Sequence, residues 1–141
     1  ILCEACLLPG ALLHNTDRKF LCKNVYIKAA NTTSAITAGI PTSRAINIPI
    51  AHGEGRYHTD VETLQLLKDN DQILFNYCDE NGAVSDTSNP NGSIENIAGV
   101  CNKTKNVFGM MPHPERAADS DLNNTDGLLL FESILQLAAA N

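Results

Sequence analysis

Apolar residues recur along this chain in two rhythms, and the changes of rhythm divide it into elements. Residues 20–30 partly alternate and carry β-branched and aromatic side chains, which predicts a strand with one wet face. Residues 45–51 form an apolar run interrupted only by Asn47, a buried strand that delivers the loop His52-Gly53-Glu54-Gly55-Arg56. Thr59-Asp60-Val61-Glu62 reads as a capping box, and Val61, Leu64 and Leu67 then share one face of a short helix ending near Asn70. Residues 72–78 predict the next strand. Residues 96–100 and 106–110 predict a hairpin around Cys101-Asn102-Lys103-Thr104-Lys105. After the possible N-caps Asn124, Thr125 and Asp126 comes a last helix, with Leu128, Phe131, Leu135 and Ala138 on one face and apolar enough from Leu128 to Ala140 to cover a sheet. At the other end, residues 1–8 read as the end of a buried helix stopped by Pro9-Gly10.

That order of elements predicts an α/β architecture, and 141 residues make one domain or part of one. Charge and cysteines narrow the function. A net charge of −6 argues against nucleic acid or an anionic membrane as partner, and the longest apolar runs are too short to span a bilayer. Five cysteines, an odd count without framework spacing, predict free thiols in a reducing, cytoplasmic setting. Cys3 and Cys6 form a Cys-x-x-Cys, but zinc needs a second ligand pair and a redox motif should follow a strand. Packing on a helix is the plainer reading, and no metal is expected.

The chemistry concentrates in residues 108–116, Phe-Gly-Met-Met-Pro-His-Pro-Glu-Arg. Pro114 biases His113 toward extended backbone, and Pro112 does the same to Met111. Residues two apart in an extended chain project to one side, so His113 and Glu115 are predicted to face the same way. A carboxylate beside one imidazole nitrogen fixes the tautomer and stabilises the imidazolium, which makes the pair the base and orienter of a nucleophile–His–acid triad. An arbitrary His-x-Glu is more often an ordinary strand end.

A triad also needs a nucleophile on a strand–turn–helix elbow, flanked by small residues. Cys3 and Cys6 lack flanking glycines, and Cys22 and Cys78 have bulky neighbours. Cys101 follows a strand and has Gly99 two residues before it, yet Lys103 stands where a small residue is wanted and a second strand follows. No cysteine fits, so the nucleophile is expected outside these residues. The loop at His52 and Gly53 lies where an α/β sheet places its ligand, although it lacks the marks of a phosphate cradle. His52 and Arg56 either touch substrate or satisfy loop carbonyls.

Four stretches together carry a resemblance: His52-Gly-Glu-Gly-Arg56, Asn89-Pro-Asn-Gly-Ser93 with Ile97-Ala-Gly-Val100, Gly109-Met-Met-Pro-His-Pro-Glu-Arg116, and Asp126-Gly127 ahead of Phe131-Glu-Ser133. They are similar, nearly end to end, to the glutaminase subunits of phosphoribosylformylglycinamidine synthase, within the class I glutamine amidotransferases. The short loop after Arg116 is like the small, separate form of that subunit. In that family the catalytic cysteine lies in a Gly-Ile-Cys-Asn-Gly-Phe-Gln elbow just ahead of an Ile-Leu-x-Glu-x-x-Leu-Leu-Pro-Gly segment, and this chain opens at that Ile.

The resemblance implies a flavodoxin-like three-layer fold, incomplete at the N-terminus, with residues 1–141 the C-terminal part of a single domain. It implies His113 and Glu115 as catalytic residues and places His52 and Gly53 in the glutamine pocket. It implies a purine-biosynthetic complex with a large ATP- and magnesium-using synthetase subunit and a small helper subunit, and no cofactor in this chain. It also implies poor stability for these residues alone, since strands of the sheet would be missing. Two rivals stay open: a non-catalytic binding or regulatory domain of the same fold, and a hydrolase using Cys101.

Overall fold

In a computed structural model, which describes residues 1–139, the chain is built on a five-stranded sheet with a helix on each face. The strands of that sheet are β2 (Leu21–Ala29), β3 (Ile46–His52), β5 (Ile73–Cys78), β6 (Ile97–Cys101) and β7 (Phe108–Met110), in the order β3-β2-β5-β6-β7. Every pairing in it is antiparallel. Two short strands, β1 (Ala11–Leu13) and β4 (Arg56–His58), pair separately.

One face of the large sheet carries Ile27, Ile46, Ile48, Ile50, Phe75 and Tyr77 against Leu130 of the helix α2 (Leu128–Ala139). The opposite face carries Ile97 and Val100 against Leu64 and Leu67 of α1 (Val61–Asp69), with Leu8 and Tyr57. Strand β3 shows the period-two rule plainly: Ile46, Ile48, Ile50 and His52 are buried in one row and the residues between them are half-exposed. Its Pro49 has no N–H to give a ladder, which suits an edge strand. The carbonyl of Pro49 instead accepts from the backbone N–H of His113 at 2.8 Å.

Three local expectations are corrected. The cap of α1 is Asp60, not Thr59: its carboxylate accepts from the Thr63 N–H and hydroxyl, each at 2.8 Å. Leu64 and Leu67 are buried as the pattern predicts, whereas Val61 is 82% exposed. The face of α2 is turned. Leu128, Phe131 and Leu135 are exposed, and Leu130 and Ser133 point inward.

Hydrogen bonds set that turn. The Ser133 hydroxyl accepts from the Gly39 N–H and donates to the Ala35 carbonyl. At the head of the helix, Gly127 donates to the Ala117 carbonyl at 2.6 Å, and a Cβ there would stand 2.1 Å from the Pro114 carbonyl oxygen. A helix with two apolar stripes is phased by such contacts and not by hydrophobicity alone. Ala140 lies outside the described residues.

Residues 1–8 form turns in place of a buried helix, with Ile1 and Leu7 exposed and only Leu8 fully covered. One helical bond, from the Ala5 N–H to the Ile1 carbonyl, closes before Cys6 adopts a φ of 56° and breaks the winding. A lone turn has only the unfavourable nucleation step.

Candidate active site

His113 enters the site on a path fixed from both sides. β7 pairs with β6, the Met111 N–H donates to the Ala98 carbonyl, and the His113 N–H then crosses to Pro49 of β3. Residues 114–117 close at once into a single 3₁₀ turn, with Pro114 at its first position where a missing N–H costs nothing. His113 itself, at φ −106° and ψ 87°, is kept out of the helical region as Pro114 requires but falls short of the fully extended backbone expected. Its Nδ1 lies 2.8 Å from Oε1 of Glu115.

The two side chains meet as the sequence predicts, although Glu115 reaches back from a turn and not along a strand. Both are reachable by solvent: His113 is 30% exposed and Glu115 57%. With the carboxylate accepting at Nδ1, that nitrogen carries the proton and Nε2 is left as the working atom of the neutral ring. Arg116 adds a looser contact to the same carboxylate oxygen at 3.7 Å.

The glycine loop is held differently. His52 is buried at the end of the β3 row, and its Nδ1 lies 3.1 Å from Oδ1 of Asn15. The same Oδ1 accepts from the Gly55 N–H at 3.2 Å, while Asn15 Nδ2 donates to the carbonyls of Lys19 and His52. Gly55 lies directly against the imidazole, so that a Cβ would stand 2.3 Å from ring atoms. Asn91 extends the network, donating to the Gly55 carbonyl at 2.8 Å and accepting from the Ser93 hydroxyl.

A Cβ at Gly53 would make only an ordinary contact, with Phe20 Cδ2 at 3.9 Å, and the Gly53 carbonyl accepts from the Asn15 N–H. Arg56 donates through Nε to the His14 carbonyl at 3.0 Å, the loop-satisfying choice of the two the sequence left open. Burial depresses the basicity of His52, and the nearby charge of His113 pushes it the same way. The two histidines are thus electrostatic neighbours.

The cysteines stand apart from this pair. Cys101 pairs with Phe108 across the β6–β7 ladder, and His113 comes five residues after Phe108, past the end of β7. It is fully buried, and burial raises its thiol pKa. Cys78 is pushed up to about 11 by burial. Among the described residues no cysteine sulfur bonds to His113, and Cys101 has neither the place nor the ionisation of a nucleophile.

Asn15, Gly55, Asn91 and Ser93 were not legible as one unit. They lie far apart in sequence, and only the spacing of Gly53 and Gly55 hinted that a loop here packs closely.

A family model for the CobB/CobQ-like glutamine amidotransferase domain matches residues 8–127, a span that contains His52, Gly53, His113 and Glu115. The chain belongs to that family. Similar proteins include the phosphoribosylformylglycinamidine synthase subunit PurQ of Acaryochloris marina, 53% identical over 96% of this chain and 57% of the relative. The PurQ subunit of Aquifex aeolicus is also 53% identical, over 96% of this chain and 60% of the relative. A chain in the structure of PurLQS from Thermotoga maritima superposes with a TM-score of 0.77 at 40% identity, covering 97% of this chain and 57% of that one. The chain therefore has the amidotransferase fold and spans somewhat over half the length of these relatives. Among the described residues, no helix is long and apolar enough to cross a membrane.

Proposed function

We propose that these residues are the C-terminal part of a glutaminase domain that supplies ammonia to phosphoribosylformylglycinamidine synthase. The observation that carries the reading is the 2.8 Å contact between His113 Nδ1 and Glu115, in a chain about half identical to PurQ subunits. In this reading His113 Nε2 first takes the proton of a cysteine thiol, carried by the portion of the relatives that this chain does not span, and the resulting thiolate attacks the side-chain amide carbon of glutamine. His113 gives a proton through Nε2 to the leaving ammonia and a thioester remains. The same nitrogen then takes a proton from water as it attacks the thioester, releasing glutamate and restoring the thiolate. Glu115 holds the ring and offsets the imidazolium charge in both steps.

His52 and Gly53 belong to the wall of the glutamine pocket in this reading, His52 from beneath through the loop it supports. Ammonia passes to a large synthetase subunit, where ATP and magnesium drive conversion of formylglycinamide ribonucleotide to the amidine, with a small helper subunit in the complex. The setting is cytoplasmic, and the glutaminase half-reaction needs no metal of its own.

The test is an extended chain in which the unmatched N-terminal part of Acaryochloris marina PurQ precedes Ile1. Glutamine hydrolysis by this protein, with glutamate and ammonia released in equal amounts and abolished when the elbow cysteine is changed to Ser, is expected. Folded extended protein with no hydrolysis, alone or with its synthetase partner, contradicts the reading.

A further inference from the structure

We propose that Asn15 is a positioning residue of this site: acting through His52, it fixes the ring tautomer and the shape of the glycine loop that walls the glutamine pocket. The inference rests on the glutaminase reading for its functional half and on hydrogen-bond chemistry for the rest.

The side-chain amide of Asn15 is 1% exposed and can be oriented in only one way. Its Nδ2 faces two carbonyls, Lys19 at 2.8 Å and His52 at 2.9 Å, which use both of its hydrogens. Its Oδ1 faces the Gly55 N–H, a group that can only donate. Flipping the amide sets oxygen against two carbonyl oxygens and NH₂ against an N–H, so the assignment follows from the network. The His52 Nδ1 that also faces Oδ1 at 3.1 Å must then carry a hydrogen.

Burial favours the neutral ring. In a neutral imidazole with hydrogen on Nδ1, Nε2 is an acceptor only. That atom is buried and has no partner among the protein atoms. A lone pair left so is tolerated better than an orphaned N–H, which the opposite tautomer would place there.

The consequence reaches the loop. One oxygen of Asn15 holds both the ring and the amide of Gly55, and Gly55 rests on the ring it shares that oxygen with. The Asn15 backbone N–H also holds the Gly53 carbonyl at 2.9 Å. A single buried residue, through its side chain at Gly55 and its backbone at Gly53, thus sets where residues 53–55 run. The charged side chains of the loop point elsewhere: Arg56 binds the His14 carbonyl and Glu54 pairs with the His14 ring. His113 is the ionisable neighbour that acts on His52 electrostatically.

The experiment has two arms. Nitrogen-15 NMR of the extended chain reads the tautomer directly, and a His52 signal protonated on Nδ1 and bare on Nε2 is expected. Hydrogen on Nε2 overturns the assignment. In Asn15→Asp, which keeps an acceptor at the ring but sets its second oxygen against the Lys19 and His52 carbonyls, His52 is expected to titrate at higher pH than in the parent, folding being checked from the dispersion of the same spectra; an unmoved titration in the folded variant, or a variant that does not fold while the parent shows hydrogen on Nε2, overturns the contact.

The second arm uses the extended chain. There Asn15→Asp is expected to raise KM for glutamine about tenfold while kcat falls less than threefold, the pattern of a disturbed pocket wall. A fall in kcat at constant KM overturns the loop-shaping role. If the extended parent hydrolyses no glutamine, the glutaminase reading fails, and with it the functional half of this inference. The NMR arm still decides the tautomer.

Discussion

The two histidines of the site teach opposite lessons about how a side chain is held. His113 meets its partner two residues away, in a turn open to solvent. His52 meets its partner 37 residues away, in a buried network. An exposed ion pair contributes little to folding, on the order of 1 kcal/mol or less, so the His113–Glu115 pair is free to serve chemistry. A buried network is different, because removing one member orphans the others at about 1–3 kcal/mol each. Chemistry and architecture are therefore separable here, and mutation can separate them.

The largest effect is expected at the exposed pair. In the extended chain, His113→Ala removes the proton relay of both half-reactions and should lower kcat for glutamine hydrolysis at least about 10³-fold, within the range such groups supply. Its thermal midpoint should stay within a few degrees of the parent. A large loss of stability with activity retained would reverse the roles of the two histidines.

Next comes Gly55→Ala, which pushes a methyl into the His52 ring. Backbone and ring must both shift, and a loss of about 1–3 kcal/mol is expected from denaturant unfolding. Gly53→Ala, whose Cβ would only touch Phe20 at an ordinary distance, should cost well under about 1 kcal/mol. Equal costs at the two glycines would contradict the tight packing of Gly55 on the ring.

A subtler probe is pH. The folded-state pKa of His52 is depressed below its ordinary value near 6.5, chiefly by burial. The stability from keeping this ring neutral is full above 6.5 and is lost as pH falls from there through the lowered folded value. Thermal midpoints measured downward from pH 7.5 should therefore decline over that window, and less so in His52→Gln. Identical profiles would show that burial of this ring is not linked to folding. The smallest effect is expected at Leu135→Lys on α2, within about 0.5 kcal/mol, because Leu135 is 67% exposed. Leu130→Ala on the same helix should cost about 2–5 kcal/mol.

The contrast also explains what could be read from the amino-acid order. His113 and Glu115 are legible because proline restricts the backbone on both sides and the partner is local, so two residues of chain settle the geometry. Strands β2 and β3 are legible for the same reason, their alternation being a property of neighbouring residues, and β5 as a short apolar run. Asn15 is not, since nothing around it foretells that Lys19, His52 and Gly55 converge on one amide. The phase of α2 escapes for a related reason: an inward Ser133 is justified only by Gly39 and Ala35, nearly a hundred residues earlier. Local rules reach as far as the chain runs straight, and tertiary partners decide the rest.

The central claim is that Glu115 works only through His113. A double-mutant cycle on kcat/KM in the extended chain tests it most directly, comparing Glu115→Gln, His113→Ala and the pair. If the acid only holds the ring, Glu115→Gln costs activity in the parent and nothing further once His113 is Ala, so the double variant matches His113→Ala within about twofold. Losses that multiply would mean that the carboxylate acts on its own, and that the orienting role assigned to it is wrong.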